Sequence, residues 1–347
     1  MIAESQGRNE STEAHVEVEV VDTSEGLSRL SPAWHVLAQG CATPFQTFAW
    51  NMTWWDLIGS RSVGTRLHVL VVRVDSVVAA IAPFMIHKGC LGFLSSPWND
   101  YGDVLVATHT ERARAAVAAL WCYLRWAVDQ RIARVELAEV PPWSVLLIDS
   151  ASPNDDVAQL VPGSSVDASV CPRRDLRGDV RPSRNLRRKA NVLARRGELS
   201  HTIRTRPTEL VQLMPEFMAM HVRQWYGRPD CGLTFTQPDM MYFYRESIVP
   251  LAAAGLLAVV ELRVGGVAAA FDFGFLHGST FFSWRPAFET NFADGSPGTV
   301  MHGMAFGTLA AAGYLTYDFM RGDFAYKRRY ADMNPVNRTI HLTVPAF

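Results

Sequence analysis

Residues 256–284, LLAVVELRVGGVAAAFDFGFLHGSTFFSW, decide how the chain is read. A β-rich run reaches Arg263, Gly265 and Gly266 turn the chain into VAAAFDFGF, and His277 and Gly278 turn it again into STFFSW. Tight turns between such runs define an antiparallel meander. The same succession stands about 190 residues earlier, where Leu67–Val74 turns at Asp75 and Ser76 into a run ending at Ile86, followed by CLGFLSS. RVDSVVAA (73–80) matches RVGGVAA (263–269) within it. Each meander leads to a proline-containing loop, a helix and a short strand, ARVEL in one half and LTYDF in the other. Five elements in one repeated order read as an internal duplication.

The 347 residues exceed what one hydrophobic core usually organises, so two domains are expected. The boundary falls near residues 151–182, where ASPNDDVAQLVPGSSVDAS is rich in Ser, Pro, Asp and Gly. This gives a flexible tail at 1–25, a first domain at 26–165 and a second at 166–347. Helical patterns at Met214–Tyr226 and Pro238–Ala254 precede the second meander, so the class is α+β, with mixed, largely antiparallel sheets flanked by helices. With 48% hydrophobic and 19% charged residues and a net charge of −1, composition points to an ordinary globular protein and to no particular partner. The five cysteines are widely spaced and read as small buried apolar groups in a reducing compartment. No apolar run approaches the roughly 20 residues of a membrane span, and the polar N-terminus is not a secretory signal, so a cytoplasmic location is expected. GxGxxG after a strand, P-loop, HExxH and GxSxG are absent, and the histidines are scattered, so no metal and no covalent nucleophile is expected.

Four stretches can carry chemistry. GSPGTVMHGMAFGTLAAAG is a well-bounded helix, capped by Ser296, with Pro297 in its first turn and Gly313 at its end. Its start, with Gly295, Ser296, Gly298 and Thr299, either holds a phosphate or carboxylate or merely begins a core helix. The segment 173–196 holds ten basic residues against two acidic ones. In it Leu186, Ala190, Leu193 and Ala194 share one helical side and Arg184, Arg188 and Arg195 form the opposite stripe, fit for a polyanion or simply solvated. SPWNDYGDVLV puts Asp100, Tyr101 and Asp103 beside Trp98, as an acceptor-binding loop or an ordinary turn. In HVRQWYGRPD, His221 and Trp225 share a helical face, which suits either an acceptor pocket or the core, and Trp50 and Trp54 read as core or cleft wall.

Taken in order, PFQTFAWNMTWW, SSPWNDYGD, RNLRRKANVLARRGEL, HVRQW, GSPGTVM and YDFMRGDFAYKRRY (317–330) resemble the CelD-type acetyltransferase family of the GNAT superfamily. That family is similar in turn to the Fem-type transferases, which draw on aminoacyl-tRNA. The resemblance spans about residues 26–332 and implies tandem GNAT-like domains, no tightly bound cofactor, and a donor carbonyl held where two strands, here TFFSWRP and LTYDFM, splay apart. Direct attack without an acyl-enzyme follows from it. It implies a site beside Ser283, Trp284, Tyr317 and Asp318. There Asp318 orients or deprotonates the acceptor, Tyr326 protonates the leaving group, and Arg321 and Lys327 neutralise donor phosphates; a salt-bridged turn is the other reading of these charges. GSPGTV lacks the Q/R-x-x-G-x-G/A of acetyl-CoA enzymes, which narrowly favours aminoacyl-tRNA over acyl-CoA as co-substrate. The expected function is transfer of an acyl or aminoacyl group to the amine or hydroxyl of a small metabolite, sugar or envelope precursor. Acetyl-CoA-dependent acetylation of a polysaccharide or natural-product intermediate, and a non-catalytic nucleic-acid-binding protein, stay open beside it.

Overall fold

The computed structural model describes residues 14–107, 111–130, 134–148, 164–226 and 234–342. Its strands in chain order are β1 (Val16–Val21), β2 (Thr65–Leu67), β3 (Val69–Val74), β4 (Val77–Ala82), β5 (Phe84–His87), β6 (Cys90–Phe93), β7 (Leu105–Val106) and β8 (Arg134–Val140). They continue with β9 (Ser164–Val170), β10 (Arg173–Asp175), β11 (Leu199–Arg204), β12 (Leu257–Val264), β13 (Val267–His277), β14 (Thr280–Phe288), β15 (Thr316–Asp318) and β16 (Val336–Leu342). Three sheets form, ordered β1-β3-β4-β7, β2-β5-β6-β8-β16-β9 and β10-β15-β14-β13-β12-β11. Helices flank them, and the α+β class holds.

The duplication is written into the strand register. Val74 pairs with Val16 as Val264 pairs with Leu199. A bulge shifts β3 against β4 between Val72 and Arg73, and another shifts β12 against β13 between Leu262 and Arg263, the same place 190 residues on. Bulges re-aim a strand and are retained as features. The long β13 of the second half corresponds to β4 and β5 of the first, where Pro83 stands between them; proline has no N–H to give the ladder.

Both halves also repeat an open pair of parallel strands. β6 meets β8 only at Cys90–Arg134 and Leu91–Val135, and β14 meets β15 only from Thr280–Thr316 to Phe282–Asp318. In the first half the gap is filled. The Gly102 N–H donates to the Glu139 carbonyl at 2.9 Å, and a Cβ on Gly102 would lie 2.3 Å from Phe93 on β6 and 2.4 Å from the Ala138 carbonyl on β8. Only glycine fits that wedge. The loop expected to bind an acceptor is therefore the plug of the first gap, whereas β14 from Ser283 to Phe288 keeps β13 as its only neighbouring strand among the described residues.

Two expected boundaries change. Val16–Val21, placed in a flexible tail, is a sheet strand paired with β3. The C-terminal β16, counted with the second domain, lies between β8 and β9 in the first-half sheet. The linker residues 151–163 fall outside the described residues. The halves share an apolar core as well. Trp50 packs edge-on against Phe275 and Trp284 with ring centroids 5.6 and 5.5 Å apart, which settles Trp50 as core. The expectation of buried cysteines holds for Cys171 alone; Cys41 and Cys90 are half-buried, Cys122 is exposed, and Cys231 lies outside the described residues.

The basic helix Arg184–Ala194 begins with a Ser183 cap and lies on the helix Pro297–Ala311. Leu193 is buried, Leu186 and Ala190 are half-buried, and Ala194, expected on the same face, is exposed. Glycines admit the contact: a Cβ at Gly303 would come within 2.2 Å of a Leu186 methyl, and one at Gly295 within 2.2 Å of a Leu193 methyl. Gly303→Ala is expected to lower stability by about 1–3 kcal/mol through overpacking. Adding Leu186→Ala should recover part of the loss in a double-mutant cycle by thermal unfolding; strictly additive losses would place the strain elsewhere.

Candidate active site

A cleft of 360 Å³ opens where β14 runs on beyond β15. Pro286, Ala287 and Phe288 form its wall, Ser296, Gly298 and Thr299 its rim, and His302, Tyr326 and Tyr330 its floor and far side, with Gln224 and Trp225 closing one end. Along this stretch Pro286 carries no N–H and the Phe288 N–H donates to Gln224 Oε1 at 2.7 Å, so the candidate peptide donors for an oxyanion are those at the start of the Pro297–Ala311 helix. The Thr299 and Val300 N–H groups both return to the Ser296 carbonyl, at 2.9 and 3.2 Å. Among the described residues the Gly298 N–H has no backbone acceptor. Ser296 is not the expected side-chain cap: it sits in the left-handed region at φ 50° and makes no capping bond.

Under the floor lies a buried polar chain. Asp272 accepts hydrogen bonds from Ser283 Oγ at 3.0 Å and from the Tyr317 hydroxyl, and the Tyr317 oxygen is 2.9 Å from His302 Nδ1. Burial pushes Asp272 up to about 7 and pulls His302 down to about 4. The His302 and Tyr326 rings stack at 6.2 Å, and burial, reinforced by the Asp272 carboxylate, raises the Tyr326 hydroxyl above its ordinary value, so it carries its proton at neutral pH.

A second cavity of 320 Å³ adjoins the first, sharing Thr299 and Tyr330, and is lined by Arg174, Arg181, Arg329, Ser183 and Asn185. Acids claim part of the basic segment: Arg173 pairs with Asp318, Arg177 with Asp175, Arg181 with Asp179 and Arg196 with Asp294. Arg184, Arg187, Arg188 and Arg195 are exposed on the helix face. Lys189 beside them is held below the usual lysine range by burial and by the charges of Arg329 and Arg188. Positive charge without a counter-ion is what a phosphate group neutralises.

Of the expected site residues, Tyr326, Ser296, Gly298, Thr299 and Trp225 come together in the cleft, and Arg184 and Arg188 lie on the basic face next to it. The others do not. Asp318 is fully buried, 2.7 Å from Arg173 Nε, and accepts from the Tyr101 hydroxyl and the Met320 N–H, so no lone pair is offered to an acceptor. Ser283 serves Asp272, and Trp284 is core, stacked on Tyr244 at 4.5 Å. Gly295 is filled by Leu193. Arg321 pairs with Asp100 at 3.4 Å and Glu139 at 3.0 Å across the halves, and Lys327 donates to the Met320 and Arg321 carbonyls. Those four are structural contacts of the turn after β15, not donor contacts. Asp103 accepts from Ser144 Oγ at 2.6 Å, the Asp100 carbonyl accepts from Asn337, and half-buried Trp98 packs on Phe243 at 5.1 Å. His221 is buried between Phe217 and Phe235 and held neutral, near pKa 4, by burial and Arg285.

Sequence reasoning missed His302, Asp272, Tyr330 and Arg329. A single acid inside the apolar run VAAAFDFGF and a histidine in the second turn of the site helix were the available signals.

Residues 181–328 match the sequence profile of the acetyltransferase (GNAT) domain family. The second half thus carries a GNAT-type acetyltransferase domain. The whole chain shares its fold with the crystal structure of FemX, at 13% identity and TM-score 0.57, over 94% of this chain and 97% of that one. It also shares it with the C-terminal domain of a putative lysylphosphatidylglycerol synthetase from Agrobacterium fabrum, at 13% identity and TM-score 0.56, over 91% and 92% of the two chains. A protein of unknown function from Bacteroides thetaiotaomicron is similar at 13% identity and TM-score 0.56, over 94% and 100%. No curated protein sequence matches the chain. The protein is an acyltransferase. Among the described residues no helix is long and apolar enough to cross a membrane, and no three His, Cys, Asp or Glu side chains gather as metal ligands.

Proposed function

We propose that the protein moves an aminoacyl group from aminoacyl-tRNA to the amine or hydroxyl of a small acceptor, a metabolite, sugar or envelope precursor. The supporting observation is the run of positive charge, without an ion-pair partner among the described residues, from the second cavity, at Arg329 and Lys189, onto the exposed Arg184, Arg187, Arg188 and Arg195. A nucleic-acid backbone asks for such extended contact, and a single pyrophosphate does not. The donor carbonyl lies beside β14 at the start of the Pro297–Ala311 helix, the acceptor attacks it directly, and the Tyr326 hydroxyl protonates the leaving oxygen.

The 320 Å³ cavity beside the start of the Pro297–Ala311 helix favours a second reading, acetyl-CoA as donor, with its phosphates among Arg174, Arg181 and Arg329. Labelled aminoacyl-tRNA pools and acetyl-CoA, incubated in parallel with the protein and a panel of amine and hydroxyl acceptors, separate the two. Label leaving tRNA for a small molecule is the expected outcome. Label leaving only acetyl-CoA assigns CoA, and salt-sensitive RNA binding without turnover leaves a binding protein. Arg184→Ala with Arg188→Ala should weaken the tRNA donor and flatten its log–log salt slope by about 1 per arginine. An unchanged slope rules out those two contacts.

A further inference from the structure

We propose that His302 is the catalytic proton acceptor of the transfer, its Nε2 taking the proton of the attacking amine or hydroxyl, with Tyr317 and Asp272 fixing its tautomer from behind. This rests on acyl transfer in the cleft of β14. The direction of the hydrogen bonds carries it. With Asp272 ionised, Tyr317 spends its only proton on that carboxylate, and its oxygen accepts at His302 Nδ1, 2.9 Å away. In that state Nδ1 holds the ring proton, which leaves Nε2 with its lone pair. His302 lines the cleft, and among the described residues nothing bonds Nε2. The chain His302–Tyr317–Asp272 runs from the cleft floor to a carboxyl that is wholly buried. A third group that orients a base through its other nitrogen is the logic by which imidazole is made to act in one direction.

The groups packed around His302 suit this use. Tyr317 comes from β15, Asp272 from β13, and Tyr326 and Tyr330 from the helix Ala325–Tyr330, at ring distances of 6.2 and 5.8 Å from the imidazole. Phe306, one turn on along its own helix, and Phe319 complete an apolar surround. The cations that act on this cluster are Lys327, which lowers Asp272, and Arg285, which lowers Tyr326. No cation bonds the imidazole among the described residues, and burial keeps it neutral, with a pKa lowered to about 4.

In the step itself the acceptor nitrogen or oxygen bonds to the donor carbonyl carbon and its proton passes to Nε2. The carbon–oxygen bond to the donor's leaving group then breaks, or the carbon–sulfur bond if the donor is a thioester, and the leaving atom takes the Tyr326 proton. The imidazolium returns its proton to Tyr326 through cleft water, so the net exchange is one acyl group for one proton.

The experiment has two arms on the full chain. Nitrogen-15 histidine NMR of the resting protein, with His302 assigned by loss of its signal in His302→Ala, reads the tautomer above pH 8, where Asp272, raised to about 7, is ionised. Protonated Nδ1 with unprotonated Nε2 is expected, and Tyr317→Phe should release that preference. The opposite tautomer overturns the proposal whatever the donor. In the second arm, aminoacyl-tRNA and acetyl-CoA serve as donors. His302→Ala is expected to lower kcat about a hundredfold with donor KM within twofold, and added imidazole to restore part of the rate. The wild-type acid limb should lie below the ordinary histidine value of 6.5 and be absent from the imidazole-free variant. A loss confined to KM, or full activity, overturns the role of His302 while leaving acyl transfer in place. A wild-type enzyme idle with both donors removes the transfer reading, and the catalytic role of His302 with it.

Discussion

Asp318→Ala is expected to destabilise the protein by about 3–5 kcal/mol while its folded fraction still transfers the acyl group. The carboxylate has no exposure and binds Arg173 Nε at 2.7 Å, the Tyr101 hydroxyl at 2.9 and 3.0 Å, and the Met320 N–H at 2.7 Å. Removing it leaves the Arg173 guanidinium, itself packed over the Trp143 ring at 4.1 Å, as a half-buried charge with its partner gone. That cost exceeds the worth of the intact pair, because the desolvation of the remaining ion is no longer offset. Thermal or urea unfolding measures it. A variant as stable as the wild type but unable to turn over would return Asp318 to the chemistry and remove it from the frame. Arg173 and Tyr101 approach it from opposite halves of the duplication, so the loss is also expected to lower the cooperativity between the halves, seen as a broader unfolding transition.

Tyr326→Phe is expected to lower kcat roughly 10²–10³-fold with little change in donor KM. The hydroxyl sits in the cleft, stays protonated at neutral pH because burial and Asp272 disfavour the phenolate, and is the group we propose as the proton donor to the leaving atom. The ring contributes separately: Tyr326 stacks on His302 at 6.2 Å and on Phe324 at 6.1 Å, and phenylalanine keeps both contacts. Stability should therefore change by less than about 1 kcal/mol, as for a hydroxyl that makes no internal hydrogen bond among the described residues. A donor with a better leaving group needs less protonation and should narrow the deficit. An equal deficit for good and poor leaving groups would assign Tyr326 to binding.

The sequence made the fold legible at one scale and hid the site at another. Turn residues at Asp75 and Ser76, and at Gly265 and Gly266, mark local backbone geometry, and local geometry is what a sequence states directly. The 190-residue recurrence then follows, down to bulges before Arg73 and Arg263. The helix start at Pro297 was readable for the same reason, whereas the tyrosine at 326 entered through the resemblance carried by YDFMRGDFAYKRRY. Asp318 was not, because its partners Arg173 and Tyr101 are 145 and 217 residues away in sequence and only the packed halves join them. The SPWNDYGD loop misled for a related reason. Its acids and aromatics are the composition of a ligand pocket, yet Asp100 and Tyr101 spend their polar groups on the second half and Asp103 on Ser144. His302 escaped notice because a lone histidine in an apolar helix gives no sign of the tyrosine and carboxyl beneath it.

β16 has a topological consequence. This strand inserts between β8 and β9, so the first-half layer is completed by a segment from far along the chain and does not close from its own strands. Contacts of such long sequence separation form slowly. Weakening β16 is therefore felt in the half of the molecule to which it does not belong by sequence.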